Sequence, residues 1–143
     1  MAAPSPDDVL RSRLGYLLKH AYGRLAEEIG TALRPLGIDS RELAVLVLLD
    51  ATDTPLSQLE VARRLGIDRT TMMQFTDLLE GKGLLARRRS PEDRRKNIVE
   101  LTPLGQERLA EAERLRADAE ARFLEPLGAN GSSLIEALRT LTR

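Results

Sequence analysis

Six basic side chains fall within nineteen residues in the stretch LLARRRSPEDRRKNIVELT, residues 84–102. Arg87, Arg88 and Arg89 form one group and Arg94, Arg95 and Lys96 a second, with Ser90, Pro91, Glu92 and Asp93 between them. Guanidinium and ammonium groups at this density suit one chemistry above others: they offer positive charge and fixed N–H donors to a polyanion such as a phosphate backbone. The intervening residues are turn formers, because Pro fixes φ while Ser and Asp bond nearby backbone. Leu84 and Leu85 before the turn, and Ile98, Val99 and Leu101 after it, read as short strands. The stretch is therefore expected to be a β-hairpin over about 84–101 with a basic tip. The competing reading is a solvated loop in which Asp93 and Arg95 form an exposed ion pair worth about 0–1 kcal/mol.

A second group of recognition residues lies just upstream. Asp68 is placed to cap a helix over about 69–80, closed by Gly81 and Gly83. Arg69, Thr70, Thr71 and, one turn on, Gln74 are expected on its outer face, with Leu78, Leu79 and Met72 or Phe75 turned inward. These types match what a helix N-terminus needs in a major groove: Arg reads guanine, Gln reads adenine, and Thr meets a thymine methyl or a phosphate. Alternatively, the threonines are ordinary first-turn residues and Arg69 a solvated surface group. What decides between them is position. The helix follows a short one opened by Ser57 and Glu60 and closed by Gly66, and it precedes the basic hairpin. Helix, tight glycine turn, helix and hairpin in that order make a winged helix-turn-helix.

The rest of the chain must hold this lobe. Leu10, Leu14, Leu17, Leu18, Ala21, Leu25, Ile29 and Leu33 recur at steps of three and four, predicting one long helix over about 8–33, stopped by Pro35 and Gly37. Asp39 with Glu42 opens the next helix as a capping box. Thr102 and Pro103 open another long helix, carrying Leu104, Leu109, Ala112, Leu115, Ala119 and Phe123, with a break near Pro126 and Gly128. Ser133 and Glu136 are read as the capping box of a last short helix. The expected fold is mainly α with a small β-hairpin wing. Residues 1–38 and 103–143 supply dimerisation helices, and residues 39–102 form the DNA-binding lobe. Apolar lines on the outer helices exceed what so small a chain covers by itself, which favours pairing with a second copy.

Composition removes other classes. Lys and Arg number 22, as do Asp and Glu, so the net charge is zero, yet residues 57–99 hold ten basic against six acidic residues. The chain has no Cys and a single His, His20, leaving no thiolate chemistry, no metal cluster and no catalytic constellation to build on. No catalytic residue, cofactor or metal is assigned. The first ten residues show no leader pattern and no apolar run is long enough for a membrane span, so a cytoplasmic protein without membrane contact is expected.

The stretch LGIDRTTMMQFTDLLEGKGLLARRRSPEDRRKNIVELTPLG, residues 65–105, resembles the MarR-type (multiple antibiotic resistance regulator) winged helix-turn-helix transcription factors. The likeness is strongest from Leu56 to Gly105. It rests on G-L-L-x-R at Gly83 to Arg87, D-x-R at Asp93 and Arg95, and L-T-x-x-G at Leu101 to Gly105, and LRPLGID at Leu33 to Asp39 extends it. The resemblance implies a homodimer on a pseudo-palindromic DNA duplex, usually a repressor, in many members relieved by a small anionic or phenolic effector. Family DNA contacts fall on Arg69, Thr70, Thr71 and Gln74, with Arg95 as wing arginine, Asp93 orienting it and Arg87 on the wing's strand. Arg94 and Lys96, with the Arg87–Arg89 group, are phosphate candidates. Gln74 stands where many relatives place a basic residue, which leaves its base preference open. Without Cys the chain departs from the peroxide-sensing branch. Tyr16 and His20 lie where effector pockets form, though surface or interface roles compete for both. Two further functions remain as rivals: a protein-interaction module meeting an acidic partner, and a nonspecific DNA-coating protein.

Overall fold

Short-range cap chemistry sets most helix boundaries in the computed structural model, which describes residues 5–143; the first four residues, part of the segment in which no leader pattern is read, lie outside it. Ser5 opens α1 (Pro6–Arg11) through a capping box with Asp8, whose amide donates to the serine hydroxyl oxygen at 3.2 Å. The chain then breaks before α2 (Leu14–Leu33). The single helix expected over 8–33 is thus two. The Val9 carbonyl accepts the Ser12 hydroxyl at 2.7 Å and the Ser12 amide at 3.3 Å, while the Arg13 amide turns to the Leu10 carbonyl at 3.0 Å.

After a 3-10 turn over Arg34–Leu36, Gly37 takes φ 66°, the left-handed conformation that ends the segment. Asp39 opens α3 (Ser40–Asp50): its carboxylate accepts the amides of Arg41 and Glu42, both at 2.9 Å, and its own amide donates to Glu42 at 3.2 Å. A two-residue strand, β1 (Leu56–Ser57), leads into α4 (Gln58–Leu65), where Ser57 and Glu60 form the expected box and Gly66 caps at φ 65°. Such caps are each worth about 1 kcal/mol. Next come α5 (Arg69–Gly81), β2 (Leu85–Arg89) and β3 (Asn97–Leu101).

The sheet has three strands in the order β1-β3-β2, all antiparallel, with Leu56 opposite Val99, Arg87 opposite Val99 and Arg89 opposite Asn97. The expected hairpin is present. Its third strand has no sequence signal of its own, since two residues carry no periodicity. The long helix α6 (Pro103–Leu124) follows, entered through Thr102, whose hydroxyl oxygen accepts the Gly105 amide at 2.9 Å. The last helix, α7 (Asn130–Leu141), begins three residues before Ser133 and has no side-chain cap. The expected Ser133–Glu136 box is absent because the chain enters α7 through a 3-10 turn (Glu125–Leu127) and Gly128. Ser133 therefore sits inside the first turn, and Glu136 pairs instead with Arg139 at 3.4 Å.

The described chain divides into two compact units, one formed by Leu33–Arg114 and one by residues up to Ala32 with Leu115–Arg143. The first unit has the apolar core: Leu33, Val45, Leu46, Val61, Met72, Leu79, Leu84, Leu85 and Val99 are buried. Within it Lys82 ties the end of α5 to the start of α3. Its ammonium donates to Glu42 and to the Gly37 carbonyl, each at 2.6 Å, and Glu42 is itself buried. In the second unit many apolar side chains remain on the surface of the single chain, among them Leu14 at 68% exposure and Leu141 at 73%. Among the described residues no helix is long and apolar enough to cross a membrane.

Candidate nucleic-acid interface

The start of α5 is held by Asp68, whose carboxylate accepts the Thr71 amide at 2.9 Å and the Thr71 hydroxyl at 2.6 Å. Thr71 is half-buried and its hydroxyl hydrogen is committed to the cap. Arg69, Thr70 and Gln74 are exposed, as expected. Met72, Phe75 and Leu79 face the core, but Leu78 does not: it is 46% exposed, and Thr76 takes the inward position. Thr76 tolerates burial because its hydroxyl donates to the Met72 carbonyl at 2.8 Å, a bond a helix supplies to any Ser or Thr one turn on. Met73, which the sequence reading passes over, lies on the same exposed face as Arg69 and Thr70. Its spacing of four and three from them was the available signal.

At the wing tip, Asp93 reaches Arg95 through the backbone: the Arg95 amide donates to the Asp93 carboxylate at 3.0 Å. The Ser90 hydroxyl oxygen accepts the amides of Glu92 and Asp93, both at 3.3 Å, and the Ser90 amide donates to the Lys96 carbonyl at 2.9 Å. These bonds close the tip and leave the Arg95 guanidinium outside them. The side chains of Arg94, Arg95 and Lys96 are exposed and make no hydrogen bond or ion pair among the described residues.

The first basic group behaves differently. Arg87 is bound by Glu80 and Asp77 of α5, Arg88 by Glu100 at 2.9 Å, and Arg89 by the Arg94 carbonyl at 2.7 Å. The hydrogen bond from Arg87 holds the Glu80 carboxyl below its usual range, and Glu80, then Asp77, push the Arg87 guanidinium up. The two triplets that look alike in sequence thus divide: residues 87–89 are engaged within the lobe and residues 94–96 face outward.

A concave surface of about 250 Å³ brings the two recognition elements together. It is lined by Ser57, Gln58 and Leu59 at the start of α4, by Arg69 and Met72 of α5, and by Arg95, Lys96 and Asn97 of the wing. The Oε1 atom of Gln58 is buried in this wall without a hydrogen-bond partner among the described residues. Gln58 has no sequence signal beyond its place as the first residue of the capped helix before the glycine turn. Tyr16 and His20 belong to the other compact unit, one turn apart on α2 with ring centroids 4.0 Å from one another.

Three carboxylates bond the helix starts of the lobe. Glu60 and Asp68 are held below the usual carboxylate range by their bonds to Ser57 and Thr71; burial pushes Asp39 up, but bonds from Glu42 and Arg41 outweigh it and its net shift is also downward. A carboxylate depressed on folding contributes stability that is complete above its unfolded pKa, about 4, and is lost as pH falls through the lower folded value. The melting temperature should therefore drop as the pH falls below about 4, and Asp68→Asn should flatten part of that drop. A circular-dichroism melt that is unchanged across this window would remove the caps as stabilising elements.

Comparison with known proteins places this geometry. Residues 36–96 match the MarR family. The chain is 34% identical over 97 residues, 68% of its length and 56% of the relative's, to YdgJ of Bacillus subtilis (strain 168), an uncharacterized HTH-type transcriptional regulator. The chain spans about half the length of the curated relatives it matches, between 44% and 57%. Its structure superposes on the transcriptional repressor CouR bound to a 23-mer DNA duplex with a TM-score of 0.89 and 38% identity, covering 99% of this chain and 100% of that one. CouR bound to p-coumaroyl-CoA superposes with a TM-score of 0.80 and 38% identity over 94% of each chain.

Proposed function

The chain belongs to the MarR family, and we propose on that premise that it is a homodimeric, sequence-reading DNA-binding regulator, a repressor released by a small anionic or phenolic effector. The observation that carries this reading is the concave surface joining the start of α5 to the wing tip, lined by Arg69, Arg95 and Lys96, none of which makes a hydrogen bond or ion pair through its side chain among the described residues. In this reading Arg69, Thr70 and Gln74 address base edges in the major groove. Arg95 enters the minor groove beside it, oriented by Asp93, and Arg94 and Lys96 neutralise phosphates. Thr71 has given its hydroxyl hydrogen to Asp68, so its contribution to a base contact comes through its methyl group.

Support for the homodimer comes from the apolar side chains left on the unit that holds α2 and α7, including Leu17, Leu18, Leu134, Ile135 and Leu138. Support for the effector comes from CouR, whose solved complex with p-coumaroyl-CoA joins a phenol to a polyanionic carrier. Tyr16 and His20 are the chain's candidates for such a site. The test of the DNA-binding reading is fluorescence anisotropy with the duplex upstream of the coding region, against a scrambled duplex, at two salt concentrations. A specificity ratio of about 10³ or more with a steep salt slope is expected. Equal binding to both duplexes would leave a coating protein, and binding to neither would return the basic tip to the protein-interaction reading.

A further inference from the structure

We propose that Arg87 is a positioning residue that sets the angle between the recognition helix and the wing, and that it makes no contact with DNA. The inference rests on the DNA-binding reading and changes one residue's place in it. Arg87 is the arginine whose donors are most fully spent inside the lobe. Its amide donates to Glu80 Oε2 at 3.1 Å and its Nε to the same oxygen at 3.2 Å, while Nη2 reaches Glu80 Oε1 at 3.0 Å and Asp77 Oδ1 at 2.7 Å. A single surface pair would be nearly neutral, since ordering two long side chains offsets the attraction. Here one carboxylate receives the main-chain amide and the Nε–Nη2 edge of the guanidinium, which fixes geometry as well as charge. The side chain is only 26% exposed, against 60% for Asp77.

Two consequences follow from where these groups sit. Arg87 pairs with Val99 in the β2–β3 register, two positions before the last rung at Arg89 and Asn97. Holding Arg87 to α5 therefore holds both strands at the base of the tip, and with them the direction in which Arg95 points. Asp77 and Glu80 are also like charges one turn apart on the helix that would enter the groove, where they repel one another and a phosphate backbone. Arg87 neutralises part of that charge in the free protein, and its Nε and Nη2 donors are filled by Glu80 and Asp77 without a phosphate. The Arg95 and Lys96 side chains make no hydrogen bond or ion pair of this kind among the described residues.

The experiment compares Arg87→Gln, Arg95→Gln and the charge swap Arg87→Glu with Glu80→Arg in the full chain. Anisotropy is read across a salt series on the upstream duplex, and hydrogen exchange is read in the free protein. Arg87→Gln should weaken binding roughly tenfold, about the share of one charge-assisted bond, while leaving the slope of log K against log salt unchanged. It should also speed exchange at Arg87–Arg89 and Asn97–Leu101 without touching α3. The swap should restore affinity to within about threefold, as coupled pairs do when only their partners are exchanged. Arg95→Gln should lower the salt slope. A slope lowered as much by Arg87→Gln as by Arg95→Gln would make Arg87 a phosphate contact and overturn the proposal. So would unchanged exchange in Arg87→Gln, or failure of the swap to recover. If the wild-type chain bound no duplex, the regulator reading would fall while the exchange comparison still decided the strut.

Discussion

Replacing Gly105 with alanine should lower the stability of the lobe by about 3 kcal/mol, the upper part of the range for overpacked sites, and the melting temperature by about 10 °C. A Cβ at Gly105 would overlap the Leu84 carbonyl oxygen and press on its carbonyl carbon. Leu84 has nowhere to go. Its side chain is 2% exposed, its amide donates to the Leu79 carbonyl at 2.9 Å, and its carbonyl accepts the Thr102 amide at 3.1 Å. The Thr102 hydroxyl meanwhile donates to the Gly83 carbonyl just before it. Relief would have to move the start of α6 away from the strand that carries the wing. The L-T-x-x-G sequence is thus a packing device: Thr102 ties the strand exit to the helix start, and Gly105 lets the two backbones touch. Gly81→Ala is the matching control, because a Cβ there meets nothing within 4 Å and alanine in a helix is favoured by about 0.5–1 kcal/mol. Thermal melts of the two variants should move in opposite directions. Equal melting temperatures for Gly105→Ala and wild type would show that the strand and helix yield, and would remove the close approach as the reason for the glycine.

What was legible in the sequence was whatever acts over three or four residues. Asp39 with Glu42, Ser57 with Glu60 and Asp68 before α5 cap as read, and Gly37 and Gly66 end their segments with positive φ. In each case the donor and acceptor are neighbours in the chain, so the bond is available before any tertiary structure forms. The same rule failed at Ser133 because the preceding 3-10 turn and Gly128 start the helix earlier. A cap sequence is also silent about what the chain does just before it. The break between α1 and α2 escaped the apolar periodicity, which counts Leu10 and Leu14 but gives no weight to a serine hydroxyl turning back on Val9. Of the candidate interface, the outward positions Arg69, Thr70 and Gln74 were legible from the cap and the helical period. The division of the arginines was not. Glu80 and Asp77 lie seven and ten residues from Arg87, across a turn, and only the folding of β2 against α5 brings them together. Gln58 joins the groove by the same kind of long-range assembly.

Arg69→Ala and Arg95→Gln should impair DNA binding in two distinguishable ways, and the difference follows from how each side chain is held. Arg69 stands at the first position of a capped helix, exposed and without an internal partner. In the proposed reading this arginine pairs with a guanine through two parallel bonds, and its loss should remove about 1–3 kcal/mol of discrimination at that base pair. In a two-fold complex the loss occurs once per half-site, so affinity for the preferred duplex should fall by roughly 10²-fold or more, with little change for scrambled DNA. Arg95 has its amide fixed by Asp93 and its guanidinium free. Its loss should weaken both duplexes, and should reduce the salt slope by about 0.9 for each wing that ceases to displace a counterion. Asp93→Ala separates direction from charge. It removes the bond that orients the Arg95 backbone while leaving the cation in place, so affinity should fall with the slope nearly unchanged. Anisotropy on the preferred duplex, on duplexes with one half-site base pair exchanged, and on scrambled DNA resolves all three variants. Uniform weakening by Arg69→Ala across every sequence would make it a phosphate contact, and a salt slope unaltered by Arg95→Gln would take the wing tip off the duplex.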